Sequence, residues 1–119
     1  MRDFSQLEVW RKAKALVVDV YKETTGFPSS EQYGLSSQLR RAAVSVAANI
    51  AEGTGRGSDQ DFARFLEMAL GSTAETRSHI LLAEELGYLK AEIRDNLSEK
   101  TIEIGRMLSG LIETLRDSK

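Results

Sequence analysis

Cysteine is absent from this chain, which removes disulfides, thiolate metal sites and thiol nucleophiles together. That absence fits a reducing compartment. Histidine occurs once, at His79, and proline once, at Pro28. No run approaches the roughly 18–20 uninterrupted apolar residues of a membrane span. The longest weakly polar stretch, Ala42 to Ala51, is mostly alanine and contains Ser45 and Asn49. The opening Met1-Arg2-Asp3-Phe4-Ser5 lacks the apolar run of a signal peptide. A soluble cytoplasmic protein with no membrane partner is the expectation.

What remains is ordinary in bulk. A chain of 119 residues suits one domain, 1–119, and one of that length buries roughly 65–70% of its unfolded surface without staples. Hydrophobic residues make up 41% and charged residues 29%, so a packed core is within reach. The net charge of −2 speaks against a general nucleic-acid binder. The charge is uneven, however. Residues 1–57 carry 8 Lys/Arg against 6 Asp/Glu, net +2; residues 58–119 carry 8 against 12, net −4. That asymmetry suits head-to-tail contact between copies, against the alternative that a difference this small is chance.

Four apolar patterns with a period near 3.6 follow one another, and no strand pattern or repeat interrupts them. The first places Leu7, Trp10, Ala13/Lys14, Val17, Val20/Tyr21 and Thr24 on one face and ends at Gly26-Phe27-Pro28. Ser29 with Gln32 offers a capping box, and Gly34 separates that short turn from the second helix. Leu35, Leu39, Ala42/Ala43, Val46 and Ile50 form the second stripe, ending at Gly53. Three glycines within Gly53–Gly57 predict a loop there. Ser58 with Asp61 caps a third helix carrying Phe62, Phe65/Leu66, Ala69/Leu70, Thr73, Thr76, Ile80 and Ala83 up to Gly87. The fourth spans about Ala91 to Asp117 with Ile93, Leu97, Ile104, Met107/Leu108, Leu111/Ile112 and Leu115. Short connections make successive helices antiparallel, so the fold class is an all-α, up-down-up-down four-helix bundle.

Catalytic constellations fail on composition. A ferritin-like di-metal centre needs two Glu-x-x-His pairs; here one histidine exists, and Glu75 precedes it by four residues, not three. A hydrolytic triad would need His79 beside an activated serine, and nothing marks Ser72 or Ser78 as one. The Gly53–Ser58 loop lacks the Gly-Lys-Ser/Thr ending of a P-loop. The reading is a non-enzyme with no cofactor and no metal.

Helix two is the most informative segment. From Arg40 to Glu52 small residues occur on nearly every side, which permits close approach on two surfaces. Arg41, Ser45, Ala48 and Glu52 form a second ridge at helical spacing, with Asn49 beside it. Gly71, in the middle of helix three, costs about 1 kcal/mol relative to Ala and suggests another close approach. These six residues are the candidate oligomer interface. An Ala-rich exposed helix selected for propensity is the alternative. Arg40, Arg41, Arg56 and Arg64 are the candidate nucleic-acid contacts, against a reading of scattered solvated arginines.

Several segments together carry a resemblance: Asp3-Phe4-Ser5-Gln6-Leu7-Glu8-Val9-Trp10, Phe27-Pro28, Tyr33 through Ala43, Asn49-Ile50-Ala51-Glu52-Gly53, Phe65-Leu66 and Ala69 through Ser72. The chain resembles the four-helix-bundle family named for 23S rRNA intervening-sequence proteins. One departure is Val46-Ala47, where that family often has Ile-Pro, so helix two is expected to be straighter here. The resemblance implies a homopentameric ring with self as partner and no established catalytic residues. A related branch, the accessory variability determinant of diversity-generating retroelements, implies RNA or a reverse transcriptase as a further partner. The expected function is a non-enzymatic homo-oligomeric scaffold; the alternative is an RNA- or nucleoprotein-binding accessory module.

Overall fold

A computed structural model describes residues 3–117. A 3-10 turn at Phe4–Gln6 leads into α1 (Glu8–Thr24); a second 3-10 turn, Ser29–Glu31, leads into α2 (Leu35–Thr54); α3 (Asp59–Glu85) and α4 (Ala91–Asp117) follow. Helices adjacent in the chain are adjacent in space, α4 returns beside α1, and among the described residues the diagonal pairs bring no Cα atoms within 8 Å of each other. The result is the expected antiparallel four-helix bundle, 48 × 22 × 20 Å. Its long axis is set by α3 and α4, each 27 residues and so about 40 Å.

The core is one cluster running the length of the bundle, with Leu16, Leu39, Ile50, Phe62, Leu66, Ile80, Leu97, Ile104 and Leu108 nearly inaccessible. Stripes two to four pack inward as expected. In α1 the expectation needs correction: Val9, Ala13, Leu16, Val20 and Thr24 are buried, whereas Trp10 and Val17 lie at the edge and Tyr21 is exposed. Helix α1 has apolar residues over more than one face, and periodicity alone did not select the deeper one.

Two local expectations also change. Gly53 and Thr54 belong to α2 and are buried, so the loop begins at Gly55. A Cβ at position 53 would lie 2.8 Å from Phe62 Cδ1 and 3.0 Å from Phe65 Cβ, so glycine here permits α2 and α3 to converge. The Ser29–Gln32 capping box does not form; Pro28 precedes the turn without a side-chain cap. Glu31 does the capping instead. Its Oε1 accepts from the Leu35 N–H at 2.9 Å, and its Oε2 accepts from the Tyr88 hydroxyl at 2.9 Å. These bonds, the backbone one foremost, hold the Glu31 carboxyl below its ordinary range. The bond to Glu31, then burial and the carboxylate charge, raise the Tyr88 hydroxyl. One carboxylate thus joins the α1–α2 and α3–α4 connections at one end of the bundle. At the other end Ser58 caps α3 as expected, accepting from the Asp61 N–H at 3.1 Å.

Cross-links between helices are polar and peripheral. Asp19–Lys100 and Lys12–Glu103 join α1 to α4; Glu84–Arg94 and Glu67–Arg116 join α3 to α4. Buried threonines are satisfied within their own helices: Thr24, Thr73 and Thr76 each donate to the carbonyl four residues back.

Candidate oligomer interface and basic sites

The six interface candidates divide between three environments. Ser45 and Asn49 face the seam between α2 and α3. Ser45 Oγ lies 2.9 Å from Ser72 Oγ, and Asn49 Nδ2 donates to Ser45 O at 2.9 Å and to Ser45 Oγ at 3.1 Å. Their polar groups are already engaged inside one copy. Arg41, Ala48 and Glu52 are exposed on the outer side of α2. Glu52 pairs with Arg56 at 2.8 Å, while Arg41 makes no ion pair or hydrogen bond among the described residues. Gly71 lies on the outer face of α3, and a Cβ there would meet nothing within 4 Å. It makes no close approach inside the monomer.

Around these positions the structure exposes apolar residues that, Ala48 apart, the sequence pattern does not assign to an interface. Phe4, Trp10, Val17, Val44, Ala47, Ala48 and Ala51 line an open groove of about 370 Å³ between α1 and α2, with Lys14 as its one charged lining residue among the described residues. Phe4 is fixed against Trp10, edge to face at 4.9 Å, because Asp3 caps its turn and Arg11 donates to the carbonyls of Ser5 and Gln6. On the outer side of α3, Met68, Leu81 and Leu82 are 47%, 40% and 50% exposed, and Leu86 just beyond is 55% exposed. A signal for the latter was available: Ile80-Leu81-Leu82 is a consecutive apolar run, and steps of about 100° cannot aim all three at one core.

The four arginines do not form one patch. Arg40 and Arg41 lie near the start of α2, whereas Arg56 lies just past its far end and Arg64 in the second turn of α3 beside that end, roughly 20 Å away along the axis. Arg40 is oriented: its Nε donates to Thr24 Oγ1 at 2.7 Å, and its guanidinium stacks 4.6 Å from the Tyr21 ring. Arg56 and Arg64 both stack on Phe65, at 4.4 and 4.7 Å, and pair with Glu52 and Asp61. The first pair borders an open groove of about 630 Å³ at the α1–α2 connection. Tyr21, Tyr33, Ser36 and Ser37 share it, and no carboxylate lines it.

His79 pairs with Glu75 at 3.2 Å, and among the described residues no group of three or more His, Asp or Glu is placed to hold a metal. Ser72 is engaged with Ser45. No described helix is long and apolar enough to cross a membrane.

The fold and surface define an all-α antiparallel bundle whose distinguishing features are outward apolar faces. A sequence model for the 23S rRNA-intervening sequence proteins matches residues 5–110, and the chain belongs to that family. A crystal structure from Bacteroides thetaiotaomicron, described as a protein with unknown function from the S23 ribosomal protein family, is similar with a TM-score of 0.79. The two are 26% identical, over 87% of this chain and 97% of that one. No curated protein matches the chain. Neither family nor neighbour has a known enzymatic role.

Proposed function

We propose that the chain is a non-enzymatic, cytoplasmic homo-oligomeric scaffold that assembles as a ring. The observation carrying this reading is the exposed apolar surface on both the α1/α2 side and the outer side of α3, in a bundle whose core is already complete. Contiguous exposed apolar patches on soluble proteins mark interaction sites. A ring of five is what the family resemblance implies. Ala48 lines the groove and is exposed. Ala48→Glu is expected to reduce the assembled mass in native mass spectrometry while helix content is kept. An unchanged assembly would remove helix α2 from the interface.

A second reading, binding of single-stranded RNA, is favoured by one observation. The groove at the α1–α2 connection combines an oriented Arg40, serine hydroxyls, the 90% exposed ring of Tyr33 and an Arg41 that has no ion-pair partner among the described residues, none of which lines the groove with a carboxylate. Guanidinium and hydroxyl donors suit phosphates, and exposed aromatic rings suit bases. Fluorescence anisotropy with a short labelled RNA tests it. Binding that weakens steeply with salt and is lost in Arg41→Ala supports this reading; no binding at low salt contradicts it.

A further inference from the structure

We infer that the assembly contact is head-to-tail, with the groove between α1 and α2 of one copy receiving the outer face of α3 of the next. This deepens the scaffold reading above and rests on it. Two apolar surfaces are exposed on the same chain, on different sides of the bundle. The groove is concave and lined by Trp10, Val17, Val44 and a run of alanines. The opposing surface is the outward side of α3, where Ala74, Ser78 and Leu82 face outward, Leu81 lies to one side of them, and Arg77 and Glu85 line the same surface. A groove walled by alanines admits the backbone of a neighbouring helix closely, and α3 presents an outward line of small or apolar residues, Gly71, Ala74, Ser78 and Leu82, between charged ones. Gly71, with open space at its Cβ, lies on that same side.

Charge selects this pairing over the symmetric alternatives. Lys14 lines the groove, which has no acidic lining residue. Glu85 lines the α3 face and exposed Glu75, paired with His79, lies beside Leu82, so the two carboxylates outnumber Arg77, which lines the face on its α4 side. The same bias extends across the sequence, net +2 over residues 1–57 and −4 over residues 58–119. Groove against groove would oppose lysines, and α3 against α3 would oppose glutamates; groove against α3 opposes unlike charges. A separate partner protein would account for one exposed surface, whereas a second copy of this chain accounts for both. Because the two surfaces differ, the contact is heterologous and propagates from copy to copy until a ring closes.

The test uses the full chain in three forms: unmodified, Ala48→Glu in the groove, and Leu82→Glu on α3. Val44→Glu and Leu81→Glu serve as second variants at exposed sites, and circular dichroism confirms helix content for each. Masses are read by sedimentation equilibrium. The expected result is an assembled unmodified chain, each single variant monomeric, and an equimolar mixture of the two variants forming a 1:1 pair that grows no further. Each variant retains one intact surface, so a pair joined by one contact is the signature of head-to-tail association. Leu82→Glu and Leu81→Glu assembling like the unmodified chain would overturn the inference and leave the scaffold reading standing. So would two monomeric variants that do not pair on mixing. An unmodified chain that is monomeric throughout would overturn the scaffold reading itself.

Discussion

At the scale of single residues, glycines separate steric necessity from mere tolerance. Gly53 is required because a Cβ would press into Phe62 and Phe65. Gly53→Ala is expected to lower the unfolding free energy by about 1–3 kcal/mol, as overpacking does. Gly110, in exposed α4, has nothing within 4 Å of an added Cβ. Gly110→Ala is expected to raise it by about 0.5–1 kcal/mol through backbone entropy alone. Urea unfolding of both at one fixed protein concentration checks the pair; the same sign for both would contradict the packing described at Gly53. Glu31 gives a pH prediction. Its folded-state carboxyl is depressed by bonds from Leu35 and Tyr88, so its stabilisation is present above its ordinary value of 4.5 and lost as pH falls below it. The melting temperature of Glu31→Gln should therefore fall below that of the unmodified chain at neutral pH. The gap should narrow as the pH drops through that range, and a gap independent of pH would contradict the assignment.

At the scale of helices, ends and faces were unequally legible. The limits of α3 and α4 follow from Ser58, Gly87 and the long apolar stripes between them, and the structure places them as expected. Gly87 has a positive φ of 84°; its N–H bonds to Glu84 O, and the Tyr88 N–H bonds to Ala83 O, a Schellman motif. Gly87→Ala is expected to cost about 1–2 kcal/mol, measured by thermal unfolding. The cap of α2 was not legible, because Glu31 reaches its target only once Gly34 turns the chain and Tyr88 arrives from a distant connection. The inward face of α1 was misread for a related reason. Trp10 and Val17 sit about one residue step, some 100°, around the helix from Val9 and Leu16. Both arcs are apolar, and the surplus one lines the groove. The interface candidates on α2 were read from small residues alone, a signal that marks close packing without saying against what. Ser45 and Asn49 were therefore grouped with Ala48, although the structure turns them toward Ser72 and the seam with α3.

At the scale of the molecule, the bundle is a complete core surrounded by incompletely used surface. Peripheral ion pairs such as Lys12–Glu103 are half exposed and contribute little each, of order 0–1 kcal/mol. Stability therefore rests on the apolar core, and in the proposed assembly charge acts chiefly between copies. Association of the unmodified chain is accordingly expected to slow as ionic strength rises, since exposed charges steer encounter over about a Debye length of 8–10 Å. Stopped-flow dilution experiments at low and high salt measure that, and a rate insensitive to salt would remove charge as the guide. Everything at this scale depends on one property, the mass of the unmodified chain in solution. Sedimentation equilibrium over a range of concentrations measures it directly. A closed assembly at a whole-number multiple of 13.2 kDa is the predicted result, and a 13.2 kDa species at every concentration would contradict the account.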